Sequence, residues 1–198
     1  MPKIVDHDLR REQLAEAAWR VIRREGLEGI SVRRVAEEAG MSLGSLRHYF
    51  TTQAELLAFS MQLVSERVNK RIDGLAWGTD LLGNAELLLT QFLPLDEERL
   101  AEAEVWLAFM SRAYFDQSAN ALGRKVHGEL RYAFDSIITR IVESGLAADG
   151  IDPELESKRL HAFIDGLALH GATRAEKLDA EQSLRAVRYH LNSLLKLK

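Results

Sequence analysis

The stretch Ser42-Leu43-Gly44-Ser45-Leu46-Arg47-His48-Tyr49-Phe50 holds an arginine, a histidine and two aromatics, with few core side chains between them. A helix that only had to stay in solution would present Lys and Glu. These residues instead suit a nucleic-acid groove. Gly44 and Ser45 let backbone come near a duplex, and Arg47 can make the bidentate contact to guanine O6 and N7. A second chemical set lies far along the chain, in "LHAFIDGLALHG". There His161 and Asp165 stand at i and i+4 on one helix face, a spacing able to hold a metal or orient a general base. No third ligand is visible nearby in sequence. The simpler reading is polar residues at the edge of a packing helix, with Gly166 allowing close approach.

Composition bounds what can carry these residues. At 198 residues, with 46% apolar and 28% charged, the chain can bury a real core, as one large domain or a small one fused to a larger. The absence of cysteine excludes disulfides and thiolate metal sites. The start, "MPKIVDHDLRREQ", has charge but no apolar run of a signal peptide. The longest apolar run, "VWLAFM", falls far short of the roughly 18 residues that span a bilayer. A soluble cytoplasmic protein is expected, with no membrane partner and no cofactor. The net charge of −4 makes no global case for nucleic acid. Residues 1–54 carry nine basic and eight acidic side chains, and the remainder 17 and 22. Any nucleic-acid footprint must therefore be local.

Helical spacing recurs throughout and no long stretch alternates with a period of two. Leu14, Ala18, Val21 and Ile22 predict a first helix over about 8–25, stopped by "EGLEG". Val32, Val35, Ala36 and Ala39 mark a short second helix ended by Gly40, and a third covers about 43–49. Thr52 and Glu55 fit a capping box for a fourth, broken by "DGLAWGTD". Leu81 to Phe92 read as a fifth, closed by "LPLD". Residues 97–115 are apolar nearly all round, which predicts a buried sixth helix. Leu122 to Ile141 form a long seventh. Asp152 before Pro153 starts an eighth, and Asp179 with Gln182 can cap a ninth.

Residues 31–50 have the spacing of a helix-turn-helix. Ser31 caps the second helix, Gly40 adopts the left-handed conformation of a tight turn, Ser42 caps the third and Leu46 points inward. Leu43, Gly44, Ser45, Arg47 and His48 are left facing out. "ISVRRVAEEAGMSLGSLRHYFTTQAELL" resembles the DNA-binding module of the tetracycline-repressor (TetR) family. The resemblance implies a phosphate contact at Ser31, a base contact at Arg33, and a groove-facing set at Leu43, Gly44, Ser45, Arg47, His48 and Tyr49. Arg34 and Ser42 complete the expected DNA-facing residues. Two positions depart from the family pattern: Arg47 replaces a common aromatic, and Gln53 replaces a phosphate-gripping Lys.

The resemblance also implies an all-α architecture of about nine helices. A helix-turn-helix domain would occupy residues 1–51, and an effector-binding and dimerisation domain residues 52–198. Trp106, Phe109, Met110 and Tyr114, with Trp77, Phe92 and Phe134, can wall a ligand pocket, or can simply be core. The stripes of helices eight and nine (Phe163, Leu167, Leu184, Val187, Leu191 and Leu194) suit a four-helix bundle between two copies. "PLDEERLAEAEVWLAF" is similar to the subgroup around the betaine-synthesis repressor, without naming an effector. The expected function is a homodimeric regulator released from palindromic operator DNA by a small, partly apolar effector. The rivals are an architectural DNA-binding protein without effector, and a helical enzyme using His161, Asp165 or His170. The enzyme lacks any nucleophile constellation, phosphate loop or distinctive carboxylate pair.

Overall fold

Side-chain caps begin most of the helices. In the computed structural model, which describes residues 7–50, 52–113, 120–173 and 180–196, Ser31 starts α2 (Val32–Glu38) by accepting the Arg34 N–H at 3.2 Å. Ser42 starts α3 (Leu43–Leu46), accepting the Ser45 N–H at 3.1 Å. Thr52 starts α4 (Gln53–Asp73), accepting from Glu55 N–H at 3.1 Å. Asp80 caps α5 (Leu81–Leu89), and Asp152 caps α8 (Pro153–Thr173) through the Glu154 and Leu155 amides. Each such cap contributes about 0.5–2 kcal/mol. α1 (His7–Gly29), α6 (Glu97–Ala113), α7 (Asn120–Glu143) and α9 (Ala180–Ser193) complete an all-α fold. The Asp179 cap expected for α9 lies outside the described residues.

Three boundaries differ from the sequence expectation. α1 continues to Gly29 across a kink at Gly26, whose φ of 72° only glycine adopts without strain. α3 stops at Leu46 rather than Tyr49. The next residues tighten into a turn, with the Tyr49 N–H donating to the Leu46 carbonyl at 2.8 Å. α5 ends at Leu89, and Thr90–Phe92 form a 3₁₀ turn.

The apolar side chains collect into two cores. The first joins Leu14, Val21 and Ile22 of α1 to Val35, Leu46, and Leu56, Met61 and Val64 of α4. It also takes Ala101, Val105 and Phe109 from α6. The boundary expected between residues 51 and 52 thus falls inside one packing unit. The second core joins Leu89 and Leu93 to Phe134, Ile138 and Ile141 of α7, Leu160 and Ile164 of α8, and Val187 and Leu191 of α9. Each fully buried side chain of this size contributes about 1.5–3 kcal/mol of transfer free energy. α6 is buried on one side only, between Ala101 and Phe109, and Glu97 at its start is exposed. Met110 and Ser111 are exposed, which corrects the expectation of a helix buried along its whole length.

The glycine that allows close approach on α8 is Gly171, not Gly166. A Cβ on Gly166 would meet nothing within 4 Å, whereas one on Gly171 would lie 2.5 Å from Pro94 Cγ. Gly171→Ala is therefore expected to destabilise by about 1–3 kcal/mol through overpacking against a rigid ring. Gly128→Ala, in open space on α7, is expected to stabilise by about 0.5–1 kcal/mol. Urea midpoints of the two variants check both signs.

Candidate DNA-binding head and effector cavity

α2 and α3 meet through a turn built by three residues. Gly40 takes φ 63°, and the Met41 N–H returns to the Ala36 carbonyl at 2.9 Å. Leu46 is fully buried and anchors α3 to the first core. That anchor leaves Leu43, Gly44, Ser45, Arg47 and His48 exposed, with Tyr49 half-buried beneath them. The hydroxyls of Ser42 and Ser45 lie 2.9 Å apart, so Ser45 is partly engaged by its own cap. The Gln53 side chain lies outside the described residues.

The arginines of the head are not equivalent. Arg33 donates to Glu37 at 3.0 Å. Arg34 reaches Glu25 at 3.3 Å and Glu37 at 3.6 Å. Arg33 beside it holds the Glu37 carboxyl below the usual range. Glu38 bridges Arg20 and Arg24 at 2.7 and 2.9 Å, tying α1 to α2. These pairs are exposed and weak, so phosphate can displace them. Arg47 differs: its guanidinium makes no hydrogen bond or ion pair among the described residues. Its five donors are free for a base edge.

A cavity of about 140 Å³ opens between α4, α6, α7 and α8. Its aromatic wall is Phe92, Trp106 and Phe134, with Phe92 and Phe134 edge to face at 5.7 Å. Three expected members are elsewhere. Phe109 is buried in the first core, because it shares the α6 face of Ala101 and Val105 and not that of Trp106. Met110 lies at the exposed end of α6, and Trp77 is 48% exposed on the α4–α5 connection. Tyr114 lies outside the described residues. The lining also contains polar groups that the sequence reading did not select, Ser65, Asn69, Gln91, Arg99, Glu102 and Glu129, together with Asp165, which it had placed with His161 and not in the pocket.

Glu102 is the most demanding of these, with a side chain only 5% exposed. Burial pushes its carboxyl up and the Arg71 guanidinium pulls it back. Arg71 grips both oxygens at 2.6 Å and also donates to the Gln91 side chain at 3.3 Å. Arg99 is held by Asp96 at 2.9 Å and by the Thr90 carbonyl at 3.0 Å.

His161 and Asp165 approach to 3.5 Å, as their spacing requires. The tertiary fold adds His127 from α7, its ring stacked on His161 at 4.9 Å, with Phe134 on His161 at 4.7 Å. Burial pulls the His161 imidazole down and pushes the Asp165 carboxyl up, so both lean to their neutral forms. Among the described residues no group of three His, Asp or Glu is placed to hold a metal ion. His170 is exposed in the last turn of α8.

The stripe expected to join two copies divides. Val187, Leu191 and Leu194 are buried in the second core of their own chain, packed with Leu160 and Ile164, and are removed from the seam. Leu167 is half-buried and packs against that core, and Leu184 is half-buried. Phe163 is half-buried and stacks on His190 at 5.0 Å, in a groove completed by Arg159, Arg185 and Tyr189. The outward face of α8 and α9 instead presents Leu155, Leu169 and Tyr189, the last 79% exposed.

The profile described as bacterial regulatory proteins, tetR family, matches residues 14–58, and that of the BetI-type transcriptional repressor C-terminal domain matches residues 83–196. The chain belongs to the TetR family. It is 42% identical to the HTH-type transcriptional regulator PksA of Bacillus subtilis, over 98% of this chain and 94% of that one. Among solved structures, a transcriptional regulator from Rhodococcus sp. Rha1 superposes with TM-score 0.78 at 30% identity, covering 93% and 95% of the two chains. A regulator from Saccharomonospora viridis in complex with choline has TM-score 0.75 at 22% identity, covering 94% and 95%. These similarities are to transcriptional regulators and not to enzymes. The helix-turn-helix is the DNA-binding head of a TetR-family transcriptional repressor. No helix among the described residues is long and apolar enough to cross a membrane.

With its guanidinium free, Arg47→Ala is expected to relax base preference at one position of each half-site, by about 1–3 kcal/mol. Arg34→Ala, at a residue shared between Glu25 and Glu37, should weaken all sequences alike. Binding to duplexes carrying single-base changes separates the two. Unaltered preferences in the Arg47 variant would remove its reading role.

Proposed function

We propose that this repressor acts as a homodimer and leaves its operator when a small, partly apolar organic cation enters the cavity between α4, α6, α7 and α8. The observation that carries this reading is the lining: aromatic walls at Phe92, Trp106 and Phe134, with the Glu129 and Asp165 carboxyls beside them and Glu102 already held by Arg71. A cation over such rings gains about 0.5–2 kcal/mol, more as water leaves. The choline held by the Saccharomonospora viridis neighbour is a molecule of this class. An architectural DNA-binding protein without effector would have a filled core at this place, which a cavity of about 140 Å³ argues against.

DNA binding needs two recognition helices about 34–36 Å apart, so that α3 of each copy enters successive major grooves. The residues we assign to that contact are Ser31, Arg33, Arg34 and the exposed set of α3, with the work done on chromosomal DNA in the cytoplasm. α4 starts beside the head and lines the cavity through Met61, Val64 and Val68. An effector there shifts α4 and alters the separation of the heads. Its influence is limited to its differential affinity for the two states, typically about 1–3 kcal/mol. The seam between copies we assign to the outward face of α8 and α9, around Leu155, Phe163, Leu169 and Tyr189.

Tyr189→Glu and Leu169→Glu place charge in that seam and are expected to give folded monomers with weak DNA affinity. Leu191→Glu places it in the chain's own core and should unfold the protomer instead. Sedimentation with circular dichroism tells these outcomes apart, and intact dimers for both surface variants would refute the seam. For the switch, choline serves as the cation probe. Its calorimetric affinity should fall in the presence of operator by the same factor that it weakens operator binding. Identical choline affinities with and without operator would leave a DNA-binding protein without this effector response.

A further inference from the structure

Two arginines one turn apart on α4 face two glutamates one turn apart on α6. Arg67 meets Glu98 at 2.9 Å, and Arg71 meets Glu102 through two bonds of 2.6 Å. The pairs form a ladder with two rungs, and its ends lie in different parts of the protein. At the upper rung Arg67 also reaches Glu16 of α1 at 2.9 Å, and its guanidinium sits 4.6 Å over the Trp19 ring. Both of those residues belong to the DNA-binding head. At the lower rung Glu102 is a wall of the cavity. The rungs also sense one another. Glu98 pushes the Glu102 carboxyl up while Arg67 draws it down.

We infer that this ladder makes the head follow the cavity, with Arg67 as the positioning residue that transmits the register of α4 on α6 to α1. The inference rests on the effector reading for its purpose, though not for its geometry. Apolar packing holds the two helices together without fixing which charged groups face each other. A planar guanidinium on a buried carboxylate is directional, so the α4–α6 contact holds one register or leaves it for another. Elements with discrete arrangements of this kind are what carry coupling between distant sites. A ligand that draws Glu102 away from Arg71 releases the lower rung, and Arg67 then loses the register that holds it between Glu16 and Glu98.

The test uses the full chain and two neutral variants. Arg67→Gln leaves Glu16 and Glu98 solvated, at 58% and 43% side-chain exposure, so no charge is stranded. Arg71→Gln combined with Glu102→Gln empties the lower rung of both charges and keeps its size. Amide exchange is followed over residues 14–50 and, as reference, over the α7 and α8 segments of the second core. DNA affinity is read on the duplex from directly upstream of the gene. In both variants exchange in the head should quicken and DNA affinity fall by about tenfold, while exchange in the second core stays as in the wild type. Head exchange and DNA affinity equal to wild type would overturn the inference, and so would an equal acceleration of both cores, which marks general destabilisation. Failure of the wild type itself to bind the upstream duplex would count against the proposed function, while the exchange measurement would still decide the ladder.

Discussion

α6 has to be buried on two adjacent faces at once, and much of the structure follows from that. Ala101, Val105 and Phe109 fill the core of the DNA-binding head, while Glu102, Ala103 and Trp106 line the cavity. With 3.6 residues per turn the two sets lie side by side along one helix. A displacement that suits one face must be accommodated by the other, because close-packed interiors do not deform continuously. The cavity and the head are therefore mechanically joined by a single rigid element. Placing a carboxylate at Glu102, within that element, creates a burial penalty that Arg71 chiefly relieves, with a smaller draw from Arg67. The α4–α6 register is accordingly set by charge as well as by packing.

A chain of net charge −4 that binds DNA has to distribute its cations with care. Here most of the arginines in the head are already engaged: Arg20 and Arg24 with Glu38, Arg33 with Glu37, Arg34 with Glu25. These exposed pairs keep the long-range field of the head small and give way easily to phosphate. The Arg47 guanidinium is left without a partner among the described residues, on the exposed side of a helix held by Leu46. The general attraction for polyanion is muted, and the freest guanidinium stands where base edges are read. Such an arrangement favours discrimination over bulk affinity.

The head could be read from the sequence because its geometry is local. Ser31, Ser42 and Thr52 each cap the amide three residues on, and Gly40 is needed by the turn in which it sits. Those interactions span a few residues, so residue type and spacing suffice to specify them. The apolar period likewise fixed that the chain is all-α and where most of its helices run. It says that a stripe must be buried and does not say against what.

Partner choice is where sequence reading failed and the tertiary structure decided. Val187, Leu191 and Leu194 form a stripe that serves equally well between two copies or within one, and α5, α7 and α8 of the same chain claim it. Phe109 and Trp106, three residues apart, separate into core and cavity through the rotation of α6, a quantity set by the helices packed around it. His161 gains the stacked His127 ring only because α7 and α8 pair side by side. Arg67 and Arg71 stand at i and i+4, as do Glu98 and Glu102, but their facing each other depends on contacts between residues about thirty positions apart. The sequence by itself determined the local geometry of caps, turn and recognition helix, where each interaction closes within a turn of chain. Only the tertiary structure decided which faces meet, because burial of an apolar stripe has no direction until a particular neighbour supplies the complementary shape and charge.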